Sequence, residues 1–278
     1  MTSTPANSPT LLFLHAHPDD EAILTAATLA KAAWLGLRTV VVYGTRGDAG
    51  ETNVDLGGTT LGERRTAEAE AACAGLGVAR VEWLDYADSG MAGTATNANP
   101  AAFCNAGVEQ VVNQVIERLA GERMGVVVGY DRNGTYGHPD HLQIHRVSRA
   151  LAARLDGSWL FEATFNREQI AALPESDGKL DPGFATTAAE LTHFVQGETW
   201  FQAKMAAVKC HDSQAPRNRR SGTRRSLDAW RARFGTEWYV QQRMPAIPQQ
   251  DPLNTLFEPI PIWPGPLPAQ PVPAQPPP

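Results

Sequence analysis

The chain has few cysteines, no excess of basic residues and no long apolar run, and each absence excludes a class of protein. Its cysteines, Cys73, Cys104 and Cys210, form no C-x-x-C pair, so the sequence predicts neither a disulfide framework nor a thiolate metal site. The 24 Lys and Arg against 30 Asp and Glu give a net charge of −6. This balance argues against a nucleic-acid binder, since such a protein needs basic residues to replace phosphate counterions.

The N-terminal region carries no recognisable export or membrane signal. No Lys or Arg precedes its first apolar stretch, residues 11–14, which is too short for a signal-peptide core or a membrane span. We therefore expect a cytoplasmic protein that binds a small molecule and neither membranes nor nucleic acid. No pattern in the sequence predicts its oligomeric state.

The remaining composition is that of a globular protein, with 42% hydrophobic residues over 278 positions. Short runs of Val, Leu and aromatic residues alternate with segments of helical periodicity. Continuous apolar runs are typical of strands covered on both faces, so we expect an α/β fold: a Rossmann-like, mostly parallel sheet with helices on both faces. The predicted strands are 11–15, 39–44, 81–86, 125–130 and 159–165. The predicted helices are 21–35, 61–76, 107–119, 139–155 and 198–208.

The composition also predicts how the chain is divided. We expect a flexible N-terminus at 1–10, one domain at 11–243 and a Pro-rich tail at 244–278, because 13 of the 21 prolines follow Met244. Proline cannot donate a backbone hydrogen bond or continue a helix. Several apolar residues of the tail are expected to pack onto the domain: Leu256, Phe257, Ile260, Ile262 and Trp263. Five arginines within 217–225 predict a solvated surface segment or, alternatively, a patch that steers an anionic substrate.

The first cluster of reactive side chains is HAHPDDE, residues 15–21, at the end of the first predicted strand. Ligands of doubly wound sheets bind beyond the carboxyl ends of the strands. His17 and Asp20, three residues apart on a tight turn, can face one metal ion while Asp19 stays free to handle a proton. The alternative is that Asp19, Asp20 and Glu21 only favour the positive end of a helix.

The second cluster is YDRNGTYGHPDHLQIH, residues 130–145, which also follows a predicted strand and opens a helix. His138 and His141 lie three residues apart and would share one helical face. Together, His17, Asp20 and His141 would supply three ligands and leave one coordination position open, as in a catalytic zinc site. Taken singly, such histidines are more often structural, and we expect a packing or supporting role for His145.

These clusters belong to a series of motifs in which the sequence resembles the LmbE-like or PIG-L family of metal-dependent N-deacetylases. The series is HAHPDDE, TRGDAGE (45–51), an R-x-x-E pair at Arg65 and Glu68, DSGM (88–91), GHPDH (137–141), EATFNRE (162–168) and KCHDSQ (209–214). The resemblance covers about residues 11–239. AHPDDE followed by HPDH is specific, whereas TRGDAGE, whose glycines could also serve an ordinary turn, is weak by itself.

The resemblance implies a hydrolase that uses Zn²⁺, with Fe²⁺ as an alternative, to remove an N-acetyl or related N-acyl group from a small molecule containing an amino sugar. It leaves the individual substrate open. The implied metal ligands are His17, Asp20 and His141, and the implied general base is Asp19. The resemblance further implies that His138 and Tyr136 assist the reaction and that Arg65 and Asp88 contact the substrate. Asp140 and His211 would contact these site residues without binding the metal or the substrate themselves.

Two rival interpretations use the same residues. A non-haem iron oxygenase also binds its metal with two histidines and one carboxylate, but the placement of Asp19 beside them favours activation of a water molecule. A noncatalytic sugar-binding protein of the same fold is the other rival. Every position expected of an enzyme is occupied, which favours catalysis.

Overall fold

The structure is a computed structural model that describes residues 9–173, 180–181, 183–215, 227–243 and 253–260. The arginine-rich segment 217–225 and the tail residues Ile262 and Trp263 lie outside the described residues, as does most of the predicted N-terminal segment.

A mixed sheet of eight strands organises the described part of the chain, in the order β3-β2-β1-β4-β5-β7-β6-β8. The strands are β1 (Thr10–His15), β2 (Thr39–Thr45), β3 (Arg80–Tyr86), β4 (Met124–Tyr130), β5 (Trp159–Thr164), β6 (His193–Gln196), β7 (Thr236–Arg243) and β8 (Glu258–Pro259). Strands β1 to β5 run parallel, and β7, β6 and β8 extend the sheet with antiparallel pairings. The predicted α/β class with a mostly parallel sheet is confirmed.

The five predicted strands are all present, each with ends within one residue of the prediction. The antiparallel extension was not predicted. Strand β6 has only four residues, and β7, with the sequence TEWYVQQR, mixes polar and aromatic residues without a continuous apolar run. Antiparallel strands need not be apolar on both faces, so the criterion that identifies buried parallel strands does not detect them.

Helices surround the sheet in two groups. They are a π-helical turn (Glu21–Thr25), α1 (Ala26–Trp34), α2 (Leu61–Gly75), α3 (Val108–Arg118), α4 (Gly134–Gly137), α5 (Pro139–Arg154), α6 (Arg167–Ala171), α7 (Phe201–Cys210), α8 (Leu227–Phe234) and α9 (Leu253–Leu256). Helices α1 and α2 pack against α7, and α3 packs against α5. Helices α1, α2 and α7 therefore form one group, and α3 and α5 form the other. Within the described ranges, no helix combines the length and apolarity needed to cross a bilayer.

The predicted helix 21–35 begins as a π-helical turn, and a distant carboxylate stabilises the change to α1. Glu237 of β7 accepts the backbone N–H groups of Ala27 (2.8 Å) and Thr28 (2.9 Å). Buried Lys204 of α7 donates to Glu237 and to the carbonyl oxygen of Ile23, both at 2.7 Å. The turn that follows β1 is thus attached to β7 and α7.

Part of the predicted tail packs onto the sheet. Leu256 and Phe257 are buried, and the Phe257 ring stacks on Phe161 of β5 with centroids 4.1 Å apart. Lys31 of α1 donates to the carbonyl oxygen of Leu256 at 3.1 Å. At the other end, β1 begins at Thr10, so the last residue of the segment predicted as flexible belongs to the sheet.

The order of the strands determines where a ligand can bind. Strands β1 and β4 are neighbours at the centre, and the chain continues from β1 to β2 on one side and from β4 to β5 on the other. Such a reversal opens a crevice beyond the carboxyl ends of the two strands. HAHPDDE follows β1 and GHPDH follows β4, so the fold brings the two clusters together at this point.

Candidate functional site

The turn after β1 holds its side chains in place with local hydrogen bonds. The carboxylate of Asp20 accepts the backbone N–H of His17 at 2.9 Å. Asp19 has a φ angle of 103°, a region that residues with a Cβ rarely adopt. Its backbone N–H donates to Glu21 at 3.0 Å. With this backbone conformation, the Asp19 carboxylate lies near Arg65, whereas the Asp20 carboxylate lies near His17 and His141.

The loop after β4 is organised by a buried carboxylate. Asp131 accepts the backbone N–H groups of Asn133 (3.0 Å) and Thr135 (2.8 Å), an Asx-type turn. Thr135 also has a positive φ angle, 61°. A Cβ on Gly134 would lie 2.9 Å from Cβ of His141, so glycine is needed there. The loop therefore places the Tyr136 ring edge-on to that of His141, with centroids 4.7 Å apart.

Three predicted ligands meet in the crevice. Oδ1 of Asp20 lies 3.3 Å from Nε2 of His141, and Oδ2 of Asp20 lies 3.5 Å from Nδ1 of His17. One potential ligand atom from each of the three residues lies within 4.8 Å of the others, and all three residues are buried. This buried His/Asp group is able to hold a metal ion.

Hydrogen bonding assigns a free lone pair to His141. The hydroxyl of Thr135 donates to the carbonyl oxygen of Gly134 at 2.7 Å, so towards Nδ1 of His141, 3.3 Å away, it can only accept. When the ring of His141 is neutral, its proton therefore lies on Nδ1. Nε2, which faces Asp20, then has the lone pair that a metal ion requires.

His17 has the opposite arrangement. Its Nε2 lies 3.2 Å from Asp140 and 3.5 Å from Asp88, and ionised carboxylates only accept hydrogen bonds. Nδ1, on the side of Asp20, is thus the atom available to a metal ion. Although burial alone would lower it, hydrogen bonds to Asp140, Asp20 and Asp88 hold the pKa of His17 well above its ordinary value. Metal binding would therefore release a proton from this ring.

A second group of possible ligands overlaps the first: His17, Asp88, His138 and Asp140. His138 precedes α5, and its Nδ1 accepts the backbone N–H of Asp140 at 3.2 Å. The ring proton of neutral His138 is therefore on Nε2, which makes that atom a donor rather than a ligand. Both Asp140 oxygens accept backbone N–H groups, from Ser89 and Cys104, each at 2.9 Å. The donor chemistry thus favours the first group.

Asp19 lies beside the ligands, and its side chain is 33% exposed. Partial burial raises the pKa of Asp19 to about 6, although nearby Arg65 opposes the shift. Nη2 of Arg65 lies 3.4 Å from Asp19 and donates to the carbonyl oxygen of Pro18 at 2.5 Å. Nη1 of Arg65 donates to the carbonyl oxygen of Gly47 at 2.9 Å.

The first glycine of TRGDAGE, Gly47, explains how Arg65 reaches this position. A Cβ on Gly47 would lie 2.4 Å from the Arg65 guanidinium, and Gly47 has a φ angle of 69°. The loop therefore leaves room for the buried guanidinium of Arg65. This group lies next to the Asp19 carboxylate and stabilises its negative charge.

A buried ion pair lies on the other side of the Asp19 backbone. Nε2 of His211 is 2.6 Å from Oε1 of Glu21, and both side chains are almost fully buried. Although burial opposes both charges, the pair lowers the pKa of Glu21 and raises that of His211. His211 is thus bonded to Glu21 and is absent from both groups of possible metal ligands.

The other predicted residues divide between the site and its surroundings. Asp88 lies beside His17 and accepts the backbone N–H of Gly90 at 2.8 Å. The hydroxyl of Tyr136 lies 3.3 Å from Nε2 of His141, and its desolvation raises the pKa of Tyr136 above the usual range. His145 points elsewhere: its Nδ1 lies 3.0 Å from the carbonyl oxygen of Tyr130.

Sequence reasoning missed three residues that shape the site, namely Glu21, Asp131 and Thr135. Asp131 and Thr135 belong to the sequence DRNGT, whose Asp, Asn and Gly are signals for a tight turn. Glu21 stands within HAHPDDE, but its partner His211 is 190 residues away, and no local signal connects them.

Comparison with known proteins identifies a family whose members resemble this chain. The family model described as GlcNAc-PI de-N-acetylase (PIG-L) matches residues 12–152. A 1D-myo-inositol 2-acetamido-2-deoxy-alpha-D-glucopyranoside deacetylase from Thermobifida fusca (strain YX) is 37% identical over 242 residues, 75% of this chain and 84% of that protein.

Solved structures share the fold. N,N'-diacetylchitobiose deacetylase from Pyrococcus horikoshii superposes with a TM-score of 0.59 at 19% identity, covering 87% of this chain and 86% of that one. The 4-carboxy-2-hydroxymuconate hydratase from Pseudomonas putida KT2440 gives 0.56 at 15% identity, covering 87% of this chain and 100% of that one. The fold therefore accommodates different reactions, and the side chains of the site must decide between them.

Proposed function

The chain belongs to the GlcNAc-PI de-N-acetylase (PIG-L) family, and from this we propose that it is a metal-dependent hydrolase that removes an N-acetyl group from a small molecule containing an amino sugar. An acetamide is a poor electrophile with a poor leaving group. Its hydrolysis requires an activated nucleophile, stabilisation of the oxyanion and a proton for the departing nitrogen.

The observation that carries this proposal is the convergence of three ligand atoms beside Asp19. Nδ1 of His17, the carboxylate of Asp20 and Nε2 of His141 would hold the ion, for which we propose Zn²⁺ with Fe²⁺ as the alternative. Against the effect of burial, His141 and His17 hold the pKa of Asp20 well below its ordinary value, so it remains an anionic ligand. When bound, the ion would polarise the acetamide carbonyl and lower the pKa of a water molecule.

Asp19 is the proposed general base. A carboxyl with a pKa of about 6 is ionised at neutral pH and basic enough to accept a proton from the attacking water. Arg65 has only hydrogen-bond donors, two of which are held by backbone carbonyl groups, so it stabilises the carboxylate without accepting its proton. Asp19 can then return the proton to the departing amine.

His138 and Tyr136 are the proposed donors to the carbonyl oxygen. The backbone N–H of Asp140 occupies Nδ1 of His138, which leaves Nε2–H to donate into the crevice. Burial and the neighbouring His17 and His141 lower the pKa of His138 to about 4, so it would act as a neutral donor. Tyr136 keeps its hydroxyl proton at neutral pH and is 43% exposed, as a residue that meets an incoming substrate should be.

The proposed substrate class is an acetamido sugar linked to a further polar group. The Thermobifida fusca relative is named for such a compound, an acetamido-glucopyranoside of myo-inositol. Asp88, a buried carboxylate next to His17, is the residue we propose for contact with sugar hydroxyls. Arg65 is buried next to Asp19, so a substrate that contacts Arg65 would have to contact Asp19 as well.

The oxygenase interpretation is the remaining catalytic rival, because two histidines and one carboxylate can also hold iron for oxygen chemistry. Such an enzyme would have no need for Asp19 as a base for water. Oxygen consumption by the iron-loaded protein, without release of acetate, would support that rival.

The direct test measures primary amine and acetate released from a panel of N-acetylated sugars by the chelator-treated, zinc-loaded and iron(II)-loaded protein. We expect equal amounts of amine and acetate from at least one acetamido sugar with loaded protein, and none after chelation. Full activity of the metal-free protein, or no hydrolysis of any member by either loaded form, would overturn the proposal.

A further inference from the structure

We propose that His211 is a positioning residue for the reaction: it fixes Glu21, and Glu21 in turn holds the backbone of the general base Asp19. The inference rests on the proposed function of Asp19. It assigns a role in the reaction to a buried ion pair that belongs to neither group of possible metal ligands.

The chain of contacts is short and continuous. Nε2 of His211 lies 2.6 Å from Oε1 of Glu21, and the other oxygen of the same carboxylate, Oε2, accepts the backbone N–H of Asp19 at 3.0 Å. One carboxylate therefore connects a side chain from the end of α7 to the backbone of the turn after β1. The side chains of His211 and Glu21 are 3% and 0% exposed, so water cannot replace either contact.

The Asp19 backbone needs such a contact. With a φ angle of 103°, Asp19 occupies a region that is unfavourable for a residue with a Cβ. Strained residues of this kind persist only where the surrounding structure holds them. Without the acceptor on Glu21, the peptide between Pro18 and Asp19 could rotate towards a relaxed conformation and carry the Asp19 carboxylate away from the water it should activate.

His211 contacts Glu21 through one atom only. Its Nδ1 is buried and has no hydrogen-bond partner among the described residues. The loop around it is anchored separately, because Glu68 of α2 accepts the backbone N–H of Ser213 at 3.0 Å and its hydroxyl at 2.6 Å. Replacing His211 should therefore leave the loop in place, and a side chain that supplies only the Nε2 donor should be sufficient.

The experiment compares His211→Gln with His211→Leu. The side-chain amide nitrogen of glutamine can take the place of Nε2, whereas leucine fills the space without a donor. We expect His211→Leu to lower kcat by about 10- to 100-fold, because a misplaced catalytic group costs rate in this range. KM and zinc per chain should stay unchanged. His211→Gln should keep kcat within about threefold of the wild-type value.

A double-mutant cycle separates positioning from a general structural effect. If His211 acts through Asp19, then adding His211→Leu to Asp19→Asn should cause little further loss, since the base is already absent. A purely structural role predicts that the two losses multiply. Wild-type kcat in His211→Leu, zinc loss that parallels the loss of activity, or multiplying losses would each overturn the proposal.

Hydrogen exchange at the Asp19 amide tests the contact independently of activity. We expect exchange at least tenfold faster in His211→Leu than in the wild type, and close to wild-type exchange in His211→Gln. Unchanged protection in His211→Leu would overturn the proposal even in an active enzyme. A wild-type protein that hydrolyses no acetamide would contradict the proposed function, while this measurement would still decide whether His211 holds the Asp19 backbone.

Discussion

Nε2 of His17 lies 3.2 Å from a carboxylate oxygen of Asp140, across 123 residues of sequence. The contact determines which nitrogen of the ring is available to a metal ion, because a carboxylate that accepts N–H at Nε2 leaves Nδ1 as the atom that can give up its proton to the metal. Carboxylates that orient a ligating histidine in this way commonly tune metal affinity.

Asp140→Asn should therefore weaken zinc binding by about 10- to 100-fold. Asparagine offers one acceptor oxygen where the carboxylate now accepts N–H groups from Ser89, Cys104 and His17. Competition with a chelating dye measures the affinity. Glu162→Gln is the matched control: Glu162 is also a buried carboxylate, but its partners include Arg149 and Gln242, and we expect unchanged zinc affinity.

Substitutions at the histidines should distinguish ligands from assistants. His17→Ala and His141→Ala, like Asp20→Ala, should lose zinc, because each removes one of the three converging ligand atoms. His138→Ala should keep zinc and lower kcat by about 10² to 10⁴, the usual contribution of a general acid or base. Zinc content and kcat are measured on the same samples. Retention of zinc by His141→Ala together with its loss from His138→Ala would invert the assignment.

Asp19→Asn should remove the base while leaving the metal. Asparagine preserves the size of the side chain and can accept a hydrogen bond, but it cannot accept a proton at neutral pH. We expect kcat to fall by about 10² to 10⁴ with little change in zinc affinity. Near-wild-type hydrolysis would assign the base to another residue, with His138 the first to examine.

The pH profile of kcat/KM should contain an acidic limb that belongs to Asp19. The reaction needs the ionised carboxylate, so activity is present above its pKa of about 6 and is lost as pH falls through that value. A bound cation would stabilise the anion and move the limb to lower pH. The limb should disappear in Asp19→Asn. A limb that persists unchanged in the variant would mean that another group titrates.

Phe257→Ala should destabilise the fold although the residue lies near the C-terminal end of the described chain. Its ring is buried between Phe161, at 4.1 Å, and Tyr239, at 5.0 Å between centroids. Removing a buried Phe side chain costs about 3 to 5 kcal/mol. Urea unfolding measures the change. Leu227→Ala, at a position that is 62% exposed, should change stability by less than about 0.5 kcal/mol.

Local patterns were sufficient to predict much of the fold and which side chains lie together in the crevice. Continuous apolar runs identified β1 to β5, because strands covered on both faces must be apolar throughout. The motifs HAHPDDE and GHPDH stand directly after two of these strands, so the fold rule for parallel sheets was enough to expect His17, Asp20 and His141 in one crevice. In the structure these three residues form a buried group that is able to hold a metal ion.

The tertiary structure decided what depends on partners distant in the chain. A search for continuous apolar runs did not detect the antiparallel strands β6, β7 and β8. The proton positions on His17, His138 and His141 follow from the groups that lie next to each ring, and the sequence does not show which groups these are.

The pair of Glu21 and His211 depends in the same way on a contact across 190 residues. The sequence by itself therefore determined which side chains gather at the carboxyl edge of the sheet, since that is set by local periodicity and strand order. Only the tertiary structure decided which atom of each side chain donates, accepts or remains free, because hydrogen bonding is directional and needs the partner's position.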